Sequence, residues 1–325
     1  YGSYILTRTY VGKKQQLVRY GTTGVIALGI IGITALVFTR SNLLLEKSLA
    51  KRLEQFQAGG YTSMYKEDET AAVLGFRNKD GSDYGLLVDG VGMTVLVDET
   101  KMMAHIPLLV HPNPQDMLVI AFGMGTTFRS ALSYGIRVDA VELVPSVPLT
   151  FSVFFPDARD VLANPKGNVI INDGRNYVRL TDKRYDVITV DPPPPVNAAG
   201  TSVLYSKEFY QQGKKILRPG GLFAQWLFYG TRHDDFQMLV KSFIDVFPYV
   251  AVFHSPRQIG VYLIGSDSPI NHNGAWVASR FSQPNVTKDI REWGSWQPNI
   301  LDYLYFGDRS LLDRYTRGVT GVSDD

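Results

Sequence analysis

No cysteine occurs among the 325 residues, which excludes disulfides, thiolate metal sites and cysteine nucleophiles. Histidine is scarce. His105, His111, His233, His254 and His272 stand at no spacing that would hold a metal, so no metal site is expected. Basic blocks and basic–aromatic interleaving are also missing, and the formal charge is only +2. Nucleic acid is therefore not expected as a partner. There is no internal repeat, and the one biased tract is Pro192–Pro195. A chain of this length holds one large domain with appendages, or two domains, so any chemistry must lie in a few short motifs.

Charge is missing altogether from residues 21–38, GTTGVIALGIIGITALVF, which lie between Arg19 and Arg40. As a helix this run spans about 27 Å, near the hydrocarbon thickness of a bilayer, and a transmembrane helix is expected. A buried core helix is the alternative, but uncharged runs of this length rarely sit in soluble cores. A signal peptide fits less well, since a long stretch precedes the run without a clear cleavage site. YGSYILTR at the start reads as the end of an earlier apolar helix, so further upstream helices are expected. Loop 8–19 carries Arg8, Lys13, Lys14 and Arg19 and no acid. The positive-inside rule keeps such a loop cytoplasmic and puts the chain beyond residue 40 on the extracytoplasmic side. Arg40, Lys47, Lys51 and Arg52 oppose that orientation. The expected partners are the lipid bilayer, other membrane subunits or upstream helices, and a second copy of the chain.

The rest divides by pattern. Residues 1–40 form the membrane segment and 41–60 an amphipathic connector helix ending at Gly59-Gly60. Residues 61–114 form a small β subdomain of short alternating runs, closed by a short helix in HIPLLVHPNP, 105–114. From 117 onward apolar runs at 117–121, 138–143, 168–171, 186–190 and 221–227 alternate with helical stretches at 126–135, 146–163, 205–217 and 232–246. Arg218-Pro219-Gly220-Gly221 reads as a helix-to-strand stop. VAVFH and IGVYLIG then read as an antiparallel pair at the sheet edge. The fold class is α/β: a doubly wound, Rossmann-like sheet of the class I methyltransferase type over 115–268. It carries the small N-terminal β-hairpin subdomain, and residues 269–325 form a helical tail.

In an open parallel sheet, ligands bind at the carboxyl ends of strands. Gly123 and Gly125 in AFGMGTT let the backbone turn tightly after strand 117–121. Glu142 ends the next strand about 20 residues later, the offset at which an acid accepts bonds from ribose hydroxyls. Asp173 in INDGRNY ends the third strand; it either takes a bond from an adenine amino group or caps the next helix. Asp191 ends the fourth strand, ahead of four prolines that stiffen its loop, and it suits a base aimed at a bound amine. Tyr205 has two readings, a wall of the cleft or a core residue.

Taken in order, these parts resemble the spermidine synthase family, most closely its membrane-fused bacterial branch. The resemblance runs from about 61 to 266, through LLVDG, HIPLLVHPNP, the glycine turn, VEL, NDGRNY, YDVITVD, YSKEFY, LRPGG and RQIG. It implies transfer of an aminopropyl group from decarboxylated S-adenosylmethionine, a co-substrate, to an amine, with no tightly bound cofactor. It implies ribose binding by Glu142, adenine-side binding by Asp173 with Gly174, and Asp191 as the amine-side base. Tyr205, Gln258 and His254 fall on the substrate side. The chain also departs from the family pattern. Met124 stands where the glycine turn carries an Asp, and Pro194 where a second Asp holds the diamine. Met93 replaces a Gln, ETKMMA lacks the tyrosine and its acidic partner, and His254 replaces a later tyrosine. An amine site stripped of carboxylates leaves an ammonium unpaired, so little putrescine activity is expected. Two other readings stand beside this one: a non-catalytic subunit of a membrane complex, and an S-adenosylmethionine-dependent methyltransferase, since Asp191-Pro192-Pro193 is similar to that group's amine-site loop.

Overall fold

The structure, a computed structural model, describes residues 51, 53–55, 57–94, 97–190 and 202–324. The chain divides into two units, Tyr1–Tyr61 and Thr62–Asp325. In the first, the described residues are helical up to a turn at Gly59-Gly60, where Gly60 takes φ +81°. The expected membrane helix 21–38 lies outside the described residues, as does Asp191. Among the described residues no helix is long and apolar enough to cross a membrane.

The second unit opens with an antiparallel meander of four strands, β1 (Thr62–Glu67), β2 (Ala72–Arg77), β3 (Tyr84–Val88) and β4 (Val91–Thr94). The sequence pattern shows three apolar runs here and misses β1, because TSMYKE is largely polar. Helix α1 spans Asp98–Val110, seven residues earlier than the start expected from HIPLLVHPNP. Asp98 and Glu99 lie in its first turn, where acids favour the helix dipole. Pro107 sits inside it and cannot donate to the carbonyl of Met103. The Thr189 hydroxyl supplies the missing bond, donating to that oxygen at 3.0 Å.

An eight-stranded sheet comes next, built from β5 (Asp116–Ile120), β6 (Arg137–Glu142), β7 (Gly167–Ile171), β8 (Tyr185–Val190), β9 (Leu217–Phe228), β10 (Tyr249–His254), β11 (Gly260–Ser266) and β12 (Tyr305–Asp308). Its order is β12-β10-β11-β9-β8-β5-β6-β7. Strands β5 to β10 run parallel to one another, and β11 and β12 run against them. The expected pair β10/β11 forms, but not at the edge: β11 lies inside against β9, and β12 covers β10. The tail is therefore not wholly helical. Its four-residue strand YFGD is too short to announce itself in sequence.

The helices between strands are α2 (Thr126–Leu132), α3 (Phe151–Phe154), α4 (Ala158–Leu162), α5 (Gly174–Leu180), α6 (Lys207–Lys215) and α7 (His233–Ile244). The tail adds α8 (Trp276–Phe281), α9 (Pro284–Ile290), α10 (Ile300–Leu304) and α11 (Arg309–Tyr315). The single helix expected over 146–163 is broken. Phe155 is extended ahead of Pro156, as a residue before proline prefers, and this parts α3 from α4. Arg218-Pro219-Gly220-Gly221 is not a turn before the strand but a bulge inside β9, between the pairs Tyr185–Leu217 and Val187–Leu222.

Two apolar clusters flank the sheet. One joins α1, α2 and the tail helices α8 to α10; the other joins α5, α6, α7 and α11 and is rich in phenylalanines packed edge-on or tilted against one another. The first holds a buried charge network. Lys101 Nζ donates to the Asp289 carboxylate at 2.6 Å and to Glu292 at 2.5 Å, and lies 4.5 Å from the Trp293 ring centre. Arg129 reaches Asp157, Asp289 and Glu292. This network ties α1 and α2 to the tail. Within it, burial holds the His105 imidazole below its ordinary range.

Candidate active site at the carboxyl edge of the sheet

The strands running outward in chain order, β5, β6, β7, lie on one side of a line, and β8 and β9 lie on the other. The order reverses between β5 and β8, and a crevice opens where strand order reverses in such sheets. The glycine turn leaves β5 at this line. The chain continues from Val190 of β8 into Asp191, which lies outside the described residues.

The turn is tightly bound. Ala121, Gly123 and Gly125 take φ of +70°, +53° and +78°. For Ala121 that conformation costs roughly 1–2 kcal/mol. A Cβ on Gly125 would come within 2.5 Å of the Phe151 ring and 2.8 Å of Phe122, so only glycine fits. Glu142 locks the turn from the next strand. Its Oε2 accepts from the N–H of Phe122 at 2.9 Å and of Gly123 at 3.4 Å, and its Oε1 from Val144 at 3.0 Å. Burial pushes the Glu142 carboxyl up, and those N–H groups pull against it. Each carboxylate oxygen has about two lone-pair sites; both on Oε2 are taken by these N–H groups, so the room for a ligand hydroxyl is on Oε1. Leu143 and Ile171, about half exposed at the ends of β6 and β7, add an apolar ledge beside it.

Asp173 is the N-cap of α5 and accepts from Asn176 N at 2.7 Å, the capping alternative of the sequence reading. Gly174 seats that helix: a Cβ there would lie 2.6 Å from Ile120 Cγ2 at the end of β5. Gly123, Gly125, Glu142, Asp173 and Gly174 thus gather on the β5–β7 half of the edge. Tyr205 does not line it. The side chain is 2% exposed and belongs to the apolar cluster on the α6/α7 face. Met124 is likewise core, 3% exposed, so the methionine that replaces an acid faces apolar neighbours. Met93 lies in β4, and its side chain, like Pro194, is outside the described residues.

His254 ends β10 on the other half. Five strand positions separate it from Glu142, about 24 Å at the usual spacing. Its Nδ1 lies 3.2 Å from the Tyr229 hydroxyl and its ring 4.1 Å from the Phe306 ring centre. Gln258 is exposed at the tip of the β10–β11 turn with φ +58°, and its N–H donates to Ser255 O. Phe228, Tyr229, Ile259 and Phe306 are all more than a third exposed on this half. Sequence alone leaves Glu99 unplaced. It sits buried at the top of α1, where Oε1 accepts from Arg257 N at 2.9 Å. Only the correct start of α1 reveals it. Among the described residues, no group of histidines and acids is arranged to hold a metal ion.

Comparison with known proteins places this architecture. Residues 97–257 match the family model described as the spermine/spermidine synthase domain. The polyamine aminopropyltransferase of Methanocaldococcus jannaschii is 39% identical over 153 residues, which cover 45% of this chain and 52% of that protein. The Clostridium kluyveri enzyme of the same name is 32% identical over 194 residues, covering 56% of this chain and 69% of that protein. The chain spans 61% of the Leptospira biflexa counterpart. A spermidine synthase solved with the transition-state analogue AdoDATO superposes with a TM-score of 0.59 at 22% identity, covering 78% of this chain and 87% of that one. A probable spermidine synthase from Corynebacterium glutamicum gives 0.57 at 16%, covering 81% and 97%. These two likenesses concern the fold.

Proposed function

The chain belongs to the spermidine synthase (polyamine aminopropyltransferase) family, and we propose that it transfers an aminopropyl group from decarboxylated S-adenosylmethionine to an amine. The observation that carries this reading is the locked glycine turn and Glu142 at the point where strand order reverses. On this reading a ribose hydroxyl donates to Glu142 and the base lies on Leu143 and Ile171, near Asp173. An amine nitrogen attacks the propyl carbon beside the sulfonium. The new C–N bond forms as the C–S bond breaks, and methylthioadenosine leaves as a neutral sulfide. Asp191 takes the proton that the nitrogen sheds. The leaving group needs no acid, so the protein's main task is to hold two reactants in line. Anchoring at a bacterial inner membrane through residues 21–38 belongs to the same proposal and rests on the uncharged run.

The test is release of methylthioadenosine when the full chain meets decarboxylated S-adenosylmethionine and a panel of amines. Release that depends on an amine and is lost in Asp191→Asn is expected. Methylthioadenosine binding without turnover on any amine would replace this reading with the non-catalytic one. Methylation of an amine by S-adenosylmethionine would replace it with the methyltransferase reading.

A further inference from the structure

Strand β10 begins at Tyr249, on the amino edge of the sheet, about 17 Å from His254 at its other end. Tyr249, Ala251 and Phe253 share one face of that strand, because side chains alternate. Ala251 is small and buried, so a gap is left between its two aromatic neighbours. Tyr305 of the edge strand β12 covers Phe253, with ring centres 5.7 Å apart. His272 in turn lies flat on Tyr305, at 3.9 Å and 12°. The gap is a cavity of about 460 Å³, with Tyr249, Ala251 and the His272–Tyr305 stack around it and Asp308 and Arg309 at its mouth. That size is within the usual range of small-molecule sites. The cavity lies on the opposite edge of the sheet from the crevice, and no residue of the candidate active site lines it.

The charges around the cavity are unequally committed. Arg309 is fully engaged: Nη1 donates to Ile244 O at 2.5 Å and to Phe247 O at 2.6 Å, at the end of α7, and Nε pairs with Asp313 at 3.3 Å. Asp308 is half free. Its Oδ1 accepts from the Ser310 N–H at 2.9 Å and the Ser310 hydroxyl at 2.6 Å, which caps α11. Its Oδ2 has no hydrogen-bond partner among the described residues, and Arg314 acts on it only from beyond ion-pair distance. The bonds from Ser310 hold the Asp308 carboxyl below its ordinary range, so it stays ionised. Its charge reaches the Tyr305 ring, whose phenol is pushed up by burial and then by that carboxylate. Burial holds the His272 imidazole below its ordinary range, so it adds no positive charge near neutral pH. The cavity therefore offers aromatic faces, one uncommitted carboxylate and no uncommitted cation. An anion would meet Asp308 and Asp313 with nothing to pair it. A cation gains from both the ring faces and the carboxylate.

We propose that this cavity is a second ligand site, for a small organic ammonium ion with an apolar body. The ammonium donates to Asp308 Oδ2 and faces the Tyr249 ring, while Oδ1 keeps its capping bonds. The apolar body lies over Ala251, against the His272–Tyr305 stack. The site does not depend on the aminopropyl-transfer reading. Because it is separate from the crevice, a cation here and methylthioadenosine beside Glu142 are held at the same time.

The experiment is calorimetric titration of the full chain with benzylammonium chloride, and with benzyl alcohol as its neutral counterpart, each with and without methylthioadenosine. Wild type is expected to bind the ammonium about tenfold or more tightly than the alcohol, equally well in both conditions. Asp308→Asn keeps a capping oxygen and loses the charge, so it should remove that preference without unfolding α11. Tyr249→Ala takes away one wall at an exposed strand start and should weaken the ammonium about threefold to tenfold. A wild type that binds no benzylammonium, or binds it no better than the alcohol, overturns the proposal. An unaltered preference in Asp308→Asn overturns it as well and places the cation elsewhere. Competition between benzylammonium and methylthioadenosine does the same, since the two would then share one site. If Asp308→Asn fails to fold, Tyr249→Ala decides alone, and unchanged ammonium binding overturns it.

Discussion

The two halves of the carboxyl edge are built on different principles. Over β5, β6 and β7, each candidate residue is fixed by its own neighbourhood: a strand end, a glycine turn or a helix cap. Over β9, β10 and β11, strand ends and a turn supply Tyr229, His254 and Arg257, but Glu99 of α1 and Phe306 of β12 reach them from distant parts of the chain. The first half presents a rigid backbone cradle. The second presents side chains whose positions depend on α1 and the tail.

The strongest way to break the comparison is to cut the long-range half from its support. Lys101→Met removes the buried cation that joins α1 to Asp289 and Glu292. Loss of one partner of a buried pair costs about 3–5 kcal/mol, which a denaturant midpoint would register. Binding of the acceptor amine should suffer more than methylthioadenosine binding. Equal loss on both sides would mean that the halves are not separately supported. Next is Gly125→Ala. A left-handed φ combined with the approach to Phe151 predicts a cost of about 2–4 kcal/mol, with methylthioadenosine binding lost first. A variant as stable as wild type would show that the turn is softer than the packing implies. Glu142→Ala should weaken methylthioadenosine by about 1.5–3 kcal/mol in calorimetry, as for a charge-assisted bond, and leave binding of the acceptor amine intact.

The same division explains what can be read from the sequence. Gly123, Gly125, Glu142 and Asp173 are legible because chemistry and geometry share one short segment. A continuous apolar strand ends, a glycine comes after it, and an acid stands at a fixed offset. Glu99 is visible as a residue but has no place. Its placement depends on where α1 starts, and the apolar pattern points only to the stretch around Pro107. A proline usually marks a helix boundary, and sequence does not show that Thr189, far along the chain, satisfies the carbonyl it leaves. β12 escapes sequence for a similar reason: four residues have no period, and their pairing with β10 is a tertiary fact. Tyr205 shows the converse. An aromatic beside a candidate loop invites a binding role, but burial among the phenylalanines of the α6/α7 face settles it as core.

The smallest expected effect separates local support from ligand contact on the nucleoside half itself. Asp173 accepts from Asn176 N as the cap of α5, so Asp173→Ala should cost about 1 kcal/mol of stability whether or not a ligand touches it. Asp173→Ser keeps a capping oxygen and removes the charge. If the aspartate only caps, Ser restores stability and methylthioadenosine binds both variants as it binds wild type. If it also accepts from the adenine amino group, Ser restores stability but not affinity, and the deficit is the same in both variants. Calorimetric titration beside thermal melting distinguishes the two. The second outcome would mean that one carboxylate both orders the cradle and reads the base, which is how a locally built half serves a ligand with few residues.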